Sequence, residues 1–213
     1  MTRTGRNASV ALVASVAMMV AGQANAQDEP TTAPDQGEAT IVLHVTNYAA
    51  LSREILDAAS ARVAKVYEVI GVHIVWVERQ VSPEQRQDGR LHFTVLLLSR
   101  DMAERKISAE GLKDGVLGQA HAPSGRASIF CDRIATMPGA PTYFANPLGD
   151  VIAHEVGHLL LRTNSHSPSG IMRAHANVRA LHLPSFDQTQ ARAIHATLRE
   201  LTAGVTVASR ETP

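Results

Sequence analysis

The sequence predicts a single α/β (α+β) domain in which a mixed, twisted sheet of four to five strands packs against helices. Three observations indicate it. Short runs rich in β-branched residues alternate with turn-forming residues, one long segment has apolar residues at helical spacing, and two more helical segments follow near the C-terminal end. The chain has 213 residues and no visible internal repeat. It is long enough for one domain with a substantial hydrophobic core.

The N-terminal segment has the pattern of an export signal. Arg3 and Arg6 precede an apolar run at 8–21, and Ala24-Asn25-Ala26 supplies the small-x-small pattern that a signal peptidase accepts. The alternative is a retained membrane anchor, but this run of 14 residues is shorter than the roughly 20 that span a bilayer. We therefore expect a signal peptide at 1–26, a secreted or periplasmic protein, and no membrane anchor after cleavage.

The composition of the mature chain limits the classes of partner that it is expected to bind. The full sequence has 20 basic and 20 acidic residues, and removal of Arg3 and Arg6 leaves 18 against 20, a formal charge of −2. This balance argues against binding to nucleic acid or to an anionic membrane. A lone Cys131 excludes an intramolecular disulfide and predicts a buried structural thiol, with a latch on a metal as the alternative. We expect a monomer.

The secondary-structure elements follow from periodicity. The polar segment 27–39 predicts a disordered linker, 40–205 the folded domain and 206–213 a flexible tail. Ser52 is a plausible N-cap for a helix over 51–70 that closes at Ile70-Gly71, and Asp187 lies in the first turn of the last helix. Trp76 is expected in the core or on a sheet face. Strands are predicted at 40–46, 72–77, 91–98, 116–121 and 127–131, a solvated turn at 79–90, and further helices at 148–162 and 185–201.

The segment His154-Glu155-Val156-Gly157-His158 carries the clearest chemical information. Two imidazoles four residues apart on a helix share one face, so both can bind one metal ion. The carboxylate of Glu155, beside the first imidazole, can act on a water molecule held by that ion. The motif therefore predicts a zinc hydrolase.

With its surroundings, this motif resembles the metzincin clan of zinc endopeptidases. The order of strands and helices before it is similar to that clan, and the His166-Ser167 pair followed by Met172 is similar to the matrixin form. The resemblance implies a metzincin-like fold with a backing helix, an active-site helix, a Met-turn and a C-terminal helix. It also implies one catalytic Zn²⁺, with Met172 as the apolar floor beneath it.

The chain departs from the clan pattern HExxHxxGxxH at two positions. Leu161 stands where the turn glycine should be, and Asn164 stands where the third histidine should be. Because leucine favours continuing the helix and asparagine tolerates a left-handed backbone, we expect the helix to reach about Arg162 and the chain to reverse near Asn164. The third ligand would then be His166; the alternatives are His175, Asn164 and Asp187.

The predicted roles follow from zinc chemistry. His154, His158 and His166 bind zinc, and Glu155 is the general base that takes a proton from the metal-bound water. The substrate is a peptide or protein, bound in extended form along the predicted strand at Gly118, Gln119, Ala120 and His121, as the resemblance implies. His121 and Tyr143 are candidates for stabilising the oxyanion.

These observations predict an exported, zinc-dependent metalloendopeptidase. Two alternatives stay open. One is a gluzincin-type protease, whose third ligand would be a downstream glutamate, Glu200 or Glu211. The other is a non-catalytic exported zinc-binding or interaction domain of the same fold.

Overall fold

The central sheet has five strands, and its strand order is β2-β1-β3-β5-β4. The strands are β1 (Ala39–Asn47), β2 (Val72–Val77), β3 (Leu91–Leu98), β4 (Gly118–His121) and β5 (Arg126–Phe130). β1 is parallel to β2 and β3, β3 is parallel to β5, and β4 is antiparallel to β5. The predicted α+β domain with a mixed sheet is confirmed, and β4 is the outermost strand on its side of the described sheet.

A computed structural model of the chain describes residues 39–78, 90–137, 144–174 and 183–208. In the last of these ranges, side chains are described as far as residue 202. The predicted signal peptide, all but the last residue of the linker, and most of the polar turn at 79–90 lie outside the described residues. So does the end of the tail, from 209 onward. Among the described residues, no helix combines the length and apolar composition that crossing a membrane requires.

Two long helices pack on one face of the sheet and contribute most of the helical residues of the main core. They are α1 (Arg53–Glu68) and α4 (Ala145–Leu161). The side chain of Ser52 caps α1 as predicted, accepting a hydrogen bond from the Ile55 N–H. The buried hydroxyl of Tyr67 on α1 donates to the Ala153 carbonyl of α4 at 2.9 Å. This contact and the shared apolar core fix the position of α4 beneath the sheet.

Two helices were not predicted: α2 (Arg100–Glu110) and α3 (Cys131–Ala135). α2 is capped by Ser99 and ends at Gly111 with φ 60°. Ala103 is its one buried residue, so its sequence lacks a clear apolar stripe. Together with Leu98 and Phe130, Ala103 forms a second, smaller core. Since Leu98 and Phe130 alternate with the main-core residues of their strands, α2 covers the opposite face.

The remaining boundaries differ from prediction by a few residues. β4 begins at Gly118 instead of residue 116, and Cys131 opens α3 instead of ending β5. The last helix, α5 (Gln188–Ala208), starts after Asp187, whose carboxylate accepts from the Gln190 N–H at 2.8 Å, and continues into the predicted tail. Cys131 is the buried thiol that the sequence predicted: it is 4% exposed, and burial raises its pKa to about 12.

Candidate metal centre

Helix α4 brings His154 and His158 together on one face. Their ring centroids lie 4.6 Å apart, and the two Nε2 atoms are separated by 3.0 Å. Most of α4 is buried, including Leu159 and Leu160 immediately after the second histidine. The spacing of four residues therefore places both imidazoles on the same side of a well-packed helix, as the sequence predicted.

The end of α4 corrects one expectation. Leu161 is helical, as predicted, but the left-handed residue is Arg162 (φ 50°, ψ 35°) and not Asn164. The chain therefore reverses two residues earlier than expected. The physical reason is the hydrogen bond at 2.7 Å between His158 Nδ1 and the Thr163 carbonyl, which holds the segment after the helix against its last turn.

The reversed segment carries His166 back to the helical pair. Its ring centroid lies 5.2 Å from that of His154 and 5.0 Å from that of His158. One ligand nitrogen from each of the three histidines lies within 4.8 Å of those of the other two, so the group could hold a metal ion. His166 itself is exposed, whereas His158 is 6% exposed. The third imidazole therefore comes from the surface, whereas His154 is half-buried and His158 is buried.

The hydrogen bonds of the helical pair fix which ring nitrogens face the centre. His154 Nδ1 lies 2.8 Å from the Ile171 carbonyl, and His158 Nδ1 is bonded to the Thr163 carbonyl. A carbonyl only accepts, so each Nδ1 carries the proton and each Nε2 presents a lone pair. Two lone pairs 3.0 Å apart repel unless a cation lies between them. This donor set fits a metal such as zinc.

The protonation of both helical imidazoles favours the same conclusion. Burial lowers the pKa of His154 to about 4, and the neighbouring imidazoles add a smaller lowering. The pKa of His158 is lowered by the same causes, burial first. Both rings are therefore neutral at pH 7, which is the form that binds metal.

A tight turn places Met172 against α4 at Gly157, between the two helical histidines in sequence. Gly170 has φ 74°, and the Ser167 N–H donates to the Met172 carbonyl at 2.8 Å. Met172 is 1% exposed. A Cβ at Gly157 would lie 2.6 Å from the Met172 sulfur, so the helix and the turn meet at a glycine. The neighbouring Ile171 supplies the carbonyl that orients His154, so this turn positions a ligand.

Glu155 is held between α4 and the edge strand. It is 6% exposed, and burial raises its pKa to about 8, while a hydrogen bond from the Ala120 backbone lowers it. A Cβ at Gly118 would lie 2.7 Å from Glu155 Cγ and 2.8 Å from Oε1. Since no side chain fits there, Gly118 lets β4 lie directly on the carboxyl group. β4 therefore borders Glu155, the residue next to His154 on α4.

A cavity of about 940 Å³ opens beside the three histidines. Gly118, Gln119 and Ala120, three of the residues predicted to bind substrate, line it. His121 is not among the lining residues; its Nδ1 lies 2.8 Å from Ser124 Oγ on the exposed side. Tyr143, the other oxyanion candidate, lies outside the described residues.

Among the described residues, neither Asp187 nor Glu200 belongs to the group that could hold a metal ion. Asn164 lines the cavity, Asp187 caps α5, and Glu200 is exposed on α5. His175 and Glu211 lie outside the described residues. Two charged lining residues, Arg133 and Asp150, were not singled out from the sequence, because neither belongs to a motif.

Comparison with protein-family models and with curated protein sequences finds no match to this chain. Among solved structures, the chain is similar to an archaemetzincin from Methanopyrus kandleri, at 15% sequence identity and with a TM-score of 0.46. The alignment covers 77% of this chain and 98% of the archaemetzincin chain. At this level of similarity, the interpretation of function depends on the geometry of the site itself.

Proposed function

We propose that this protein is an exported zinc-dependent metalloendopeptidase, in which His154, His158 and His166 bind one zinc ion. The observation that carries the proposal is the orientation of the helical pair, whose Nδ1 protons are taken by backbone carbonyls while both Nε2 lone pairs converge. Such backbone bonds are the usual outer support of a histidine that binds a metal.

The chemistry combines one ion and one carboxyl group. His154, His158 and His166 would hold the zinc ion, which would leave a position for water and would lower the pKa of that water toward ~7. Glu155 would then serve as the general base that accepts a proton from the water and passes it to the leaving amine. Burial alone favours the neutral carboxyl, but a nearby dication favours its ionised form, which is the form a general base requires.

The edge strand β4 supplies a binding surface for the peptide. Its outer side borders Glu155, because the Ala120 N–H donates to that carboxyl group. An extended peptide added along this edge would pair with backbone groups and bring a peptide bond beside the metal. A monomer exposes this edge, and the predicted signal peptide would deliver the enzyme outside the cytoplasm.

One observation favours a second candidate, a non-catalytic zinc-binding domain. Glu155 lines the cavity but is only 6% exposed beneath β4, so little of its carboxyl group is accessible to water. A domain that bound zinc and a peptide without hydrolysis would tolerate this burial.

Glu155→Ala separates the two candidates. The variant keeps three imidazoles, so we expect it to retain zinc while losing peptide hydrolysis by several orders of magnitude. Metal analysis and cleavage of a mixed peptide library measure the two properties. A chelator should abolish wild-type cleavage, and added zinc should restore it. A wild-type protein that holds a full zinc ion and cleaves nothing would favour the binding domain.

Glu200→Ala is the matched control. Glu200 is exposed on α5, away from the three histidines, so its removal should change neither zinc content nor cleavage. Loss of zinc in this variant would instead favour the gluzincin-type alternative.

A further inference from the structure

Arg133 on α3 is fixed in the wall of the cavity that contains the three histidines. Its Nη1 donates to two backbone carbonyls, those of Lys113 at 3.1 Å and Val116 at 2.9 Å. The guanidinium carbon lies 5.8 Å from the centre of the Phe130 ring. These contacts hold a half-buried cation in one place and also support the segment that leads into β4.

Part of this guanidinium is still available to a ligand. Among the residues that the structure describes, Nε and Nη2 of Arg133 have no hydrogen-bond partner, and neither is a buried atom without a partner. A guanidinium with one edge anchored presents its other donors in a fixed planar fork. Because that fork matches the two oxygens of a carboxylate, little conformational freedom is lost when one binds.

Among the described residues that line the cavity, Arg133 is the half-buried cation, and the acidic residues are Asp114, Asp150 and Glu155. Asp150 also lines the cavity, but Arg62 Nε and Nη2 donate to its two oxygens at 2.7 and 3.1 Å, which neutralises its charge. Lys113, Asp114 and Arg173 are exposed, so water screens them. In sequence, 138–143 has no charged residue and 175–182 has one arginine and no acidic residue. Those two segments therefore contribute no competing carboxylate.

We propose that Arg133 is a specificity-determining residue that selects peptides carrying a carboxylate near the cleaved bond. The carboxylate comes from an acidic side chain or from the C-terminus of the peptide. This inference rests on the proposed function, because it assumes that the cavity receives a peptide. The substrate class is then acidic peptides, or peptides cut close to their C-terminal end.

The test compares peptides that differ only in one charge. A peptide cleaved by the zinc-loaded mature protein is prepared with Glu or Gln at each position flanking the cleaved bond, and with a C-terminal acid or amide. We expect kcat/KM to be about 10- to 100-fold higher for one acidic member of a pair. The side-chain pairs and the C-terminal pair distinguish the two sources of the carboxylate. Equal rates in every pair would overturn the proposal.

Variants of Arg133 show whether this residue causes the preference. Arg133→Gln should reduce the acid-to-neutral ratio to about one, and Arg133→Lys should restore part of it. Arg173→Gln, which removes an exposed cation from the same cavity, is the matched control and should keep the ratio. If Arg133→Gln lowers both rates equally and keeps the ratio, Arg133 only supports the wall, and the proposal is wrong.

A peptide-binding measurement tests carboxylate selection independently of peptide cleavage. The acidic and neutral peptides of one pair are labelled with a fluorophore. In an anisotropy titration, zinc-loaded Glu155→Gln should bind the acidic peptide about 10- to 100-fold more tightly than the neutral one. The same preference in a protein that cleaves no peptide would refute the peptidase but support carboxylate selection. Equal binding by Glu155→Gln would contradict carboxylate selection even where the wild type cleaves peptides.

Discussion

The helical and loop-borne parts of the metal centre are built differently. His154 and His158 lie on a buried helix, and a backbone carbonyl orients each ring. His166 lies in an exposed segment after the helix and reaches the pair from outside. The helix therefore fixes the positions of two candidate ligands, whereas the position of the third depends on the path of a loop.

This difference explains why a sequence motif fixes the spacing of the two helical histidines but not the position of the third. A spacing of four residues on a helix is a distance fixed by helix geometry, so it transfers between sequences. A loop ligand needs only to return to the same point, and loops of different length or conformation achieve that. A third histidine can therefore shift along the sequence without altering the first two.

The largest expected effect concerns zinc affinity. His158→Ala should weaken zinc binding by more than about 100-fold, because a preorganised ligand is lost outright. His166→Ala should weaken it by about 10- to 100-fold, since binding must also order the loop in the wild type. Competition with a chromophoric chelator measures both.

His175→Ala is the control for this series and should leave zinc affinity unchanged. Equal zinc retention by His166→Ala and wild type would remove the loop ligand from the assignment. The site would then have no ligand from the loop to set against the two from the helix.

A second prediction concerns pH and the buried side of the centre. Burial raises the pKa of Glu155 to about 8 from its usual 4.5. The stability linked to the neutral carboxyl is fully present below the unfolded pKa and is lost as pH rises through the folded pKa. Metal-free wild type should therefore lose stability relative to Glu155→Gln between about pH 5 and 8.5, on the order of 3 kcal/mol.

Urea unfolding of both proteins at several pH values measures this difference. A gap that stays constant with pH would mean that Glu155 is not the buried acid described above. Saturating zinc should shrink the gap, because a dication favours the ionised carboxyl.

The third prediction concerns the contact between the helix and the turn beneath it. Gly157→Ala would place a Cβ 2.6 Å from the Met172 sulfur, which should cost about 1–3 kcal/mol of stability through overpacking. It should also weaken zinc binding, because the same turn carries the carbonyl of Ile171 that orients His154. Thermal unfolding and zinc titration measure the two effects.

Gly111→Ala is the matched control for this prediction. Gly111 has φ 60° with open space around its Cα, so the variant should lose stability without altering zinc affinity. A Gly157→Ala protein with wild-type stability and zinc affinity would show that the turn adjusts freely.

The smallest expected effect is at the end of α4. Arg162 adopts a left-handed backbone with φ 50°, which a residue with a Cβ adopts at some cost. Arg162→Gly should relieve this strain and raise stability by about 0.5–1 kcal/mol, the gain being reduced by the greater freedom of glycine in the unfolded chain. Denaturant unfolding measures the shift. A loss of stability would indicate that the arginine side chain contributes more than the backbone strain costs.

The sequence predicted most accurately the strands and helices whose apolar residues follow a regular pattern. β2 and β3 have the predicted bounds, because their β-branched and aliphatic runs end sharply at polar or turn residues. α2 was missed because it lies on the outer face of the sheet with Ala103 as its one buried residue. At Arg162 the prediction followed the intrinsic preference of Asn164 for a left-handed backbone, but the bond between His158 and Thr163 decided the turn. Arg133 carried no sequence signal, because its position depends on carbonyls about 20 residues away along the chain.

The arrangement of the centre has a consequence for how this protein could diverge. The three histidines, Glu155 and Met172 all lie between residues 154 and 172, in one contiguous stretch. The cavity wall with Arg133 comes from residues 113–137. In the proposed peptidase, metal affinity and substrate preference would therefore be encoded in separate segments, and one contact between them is that of Gly118 with Glu155. Related chains could exchange one wall for another and keep the three histidines, provided that the strand beside Glu155 still carries a glycine.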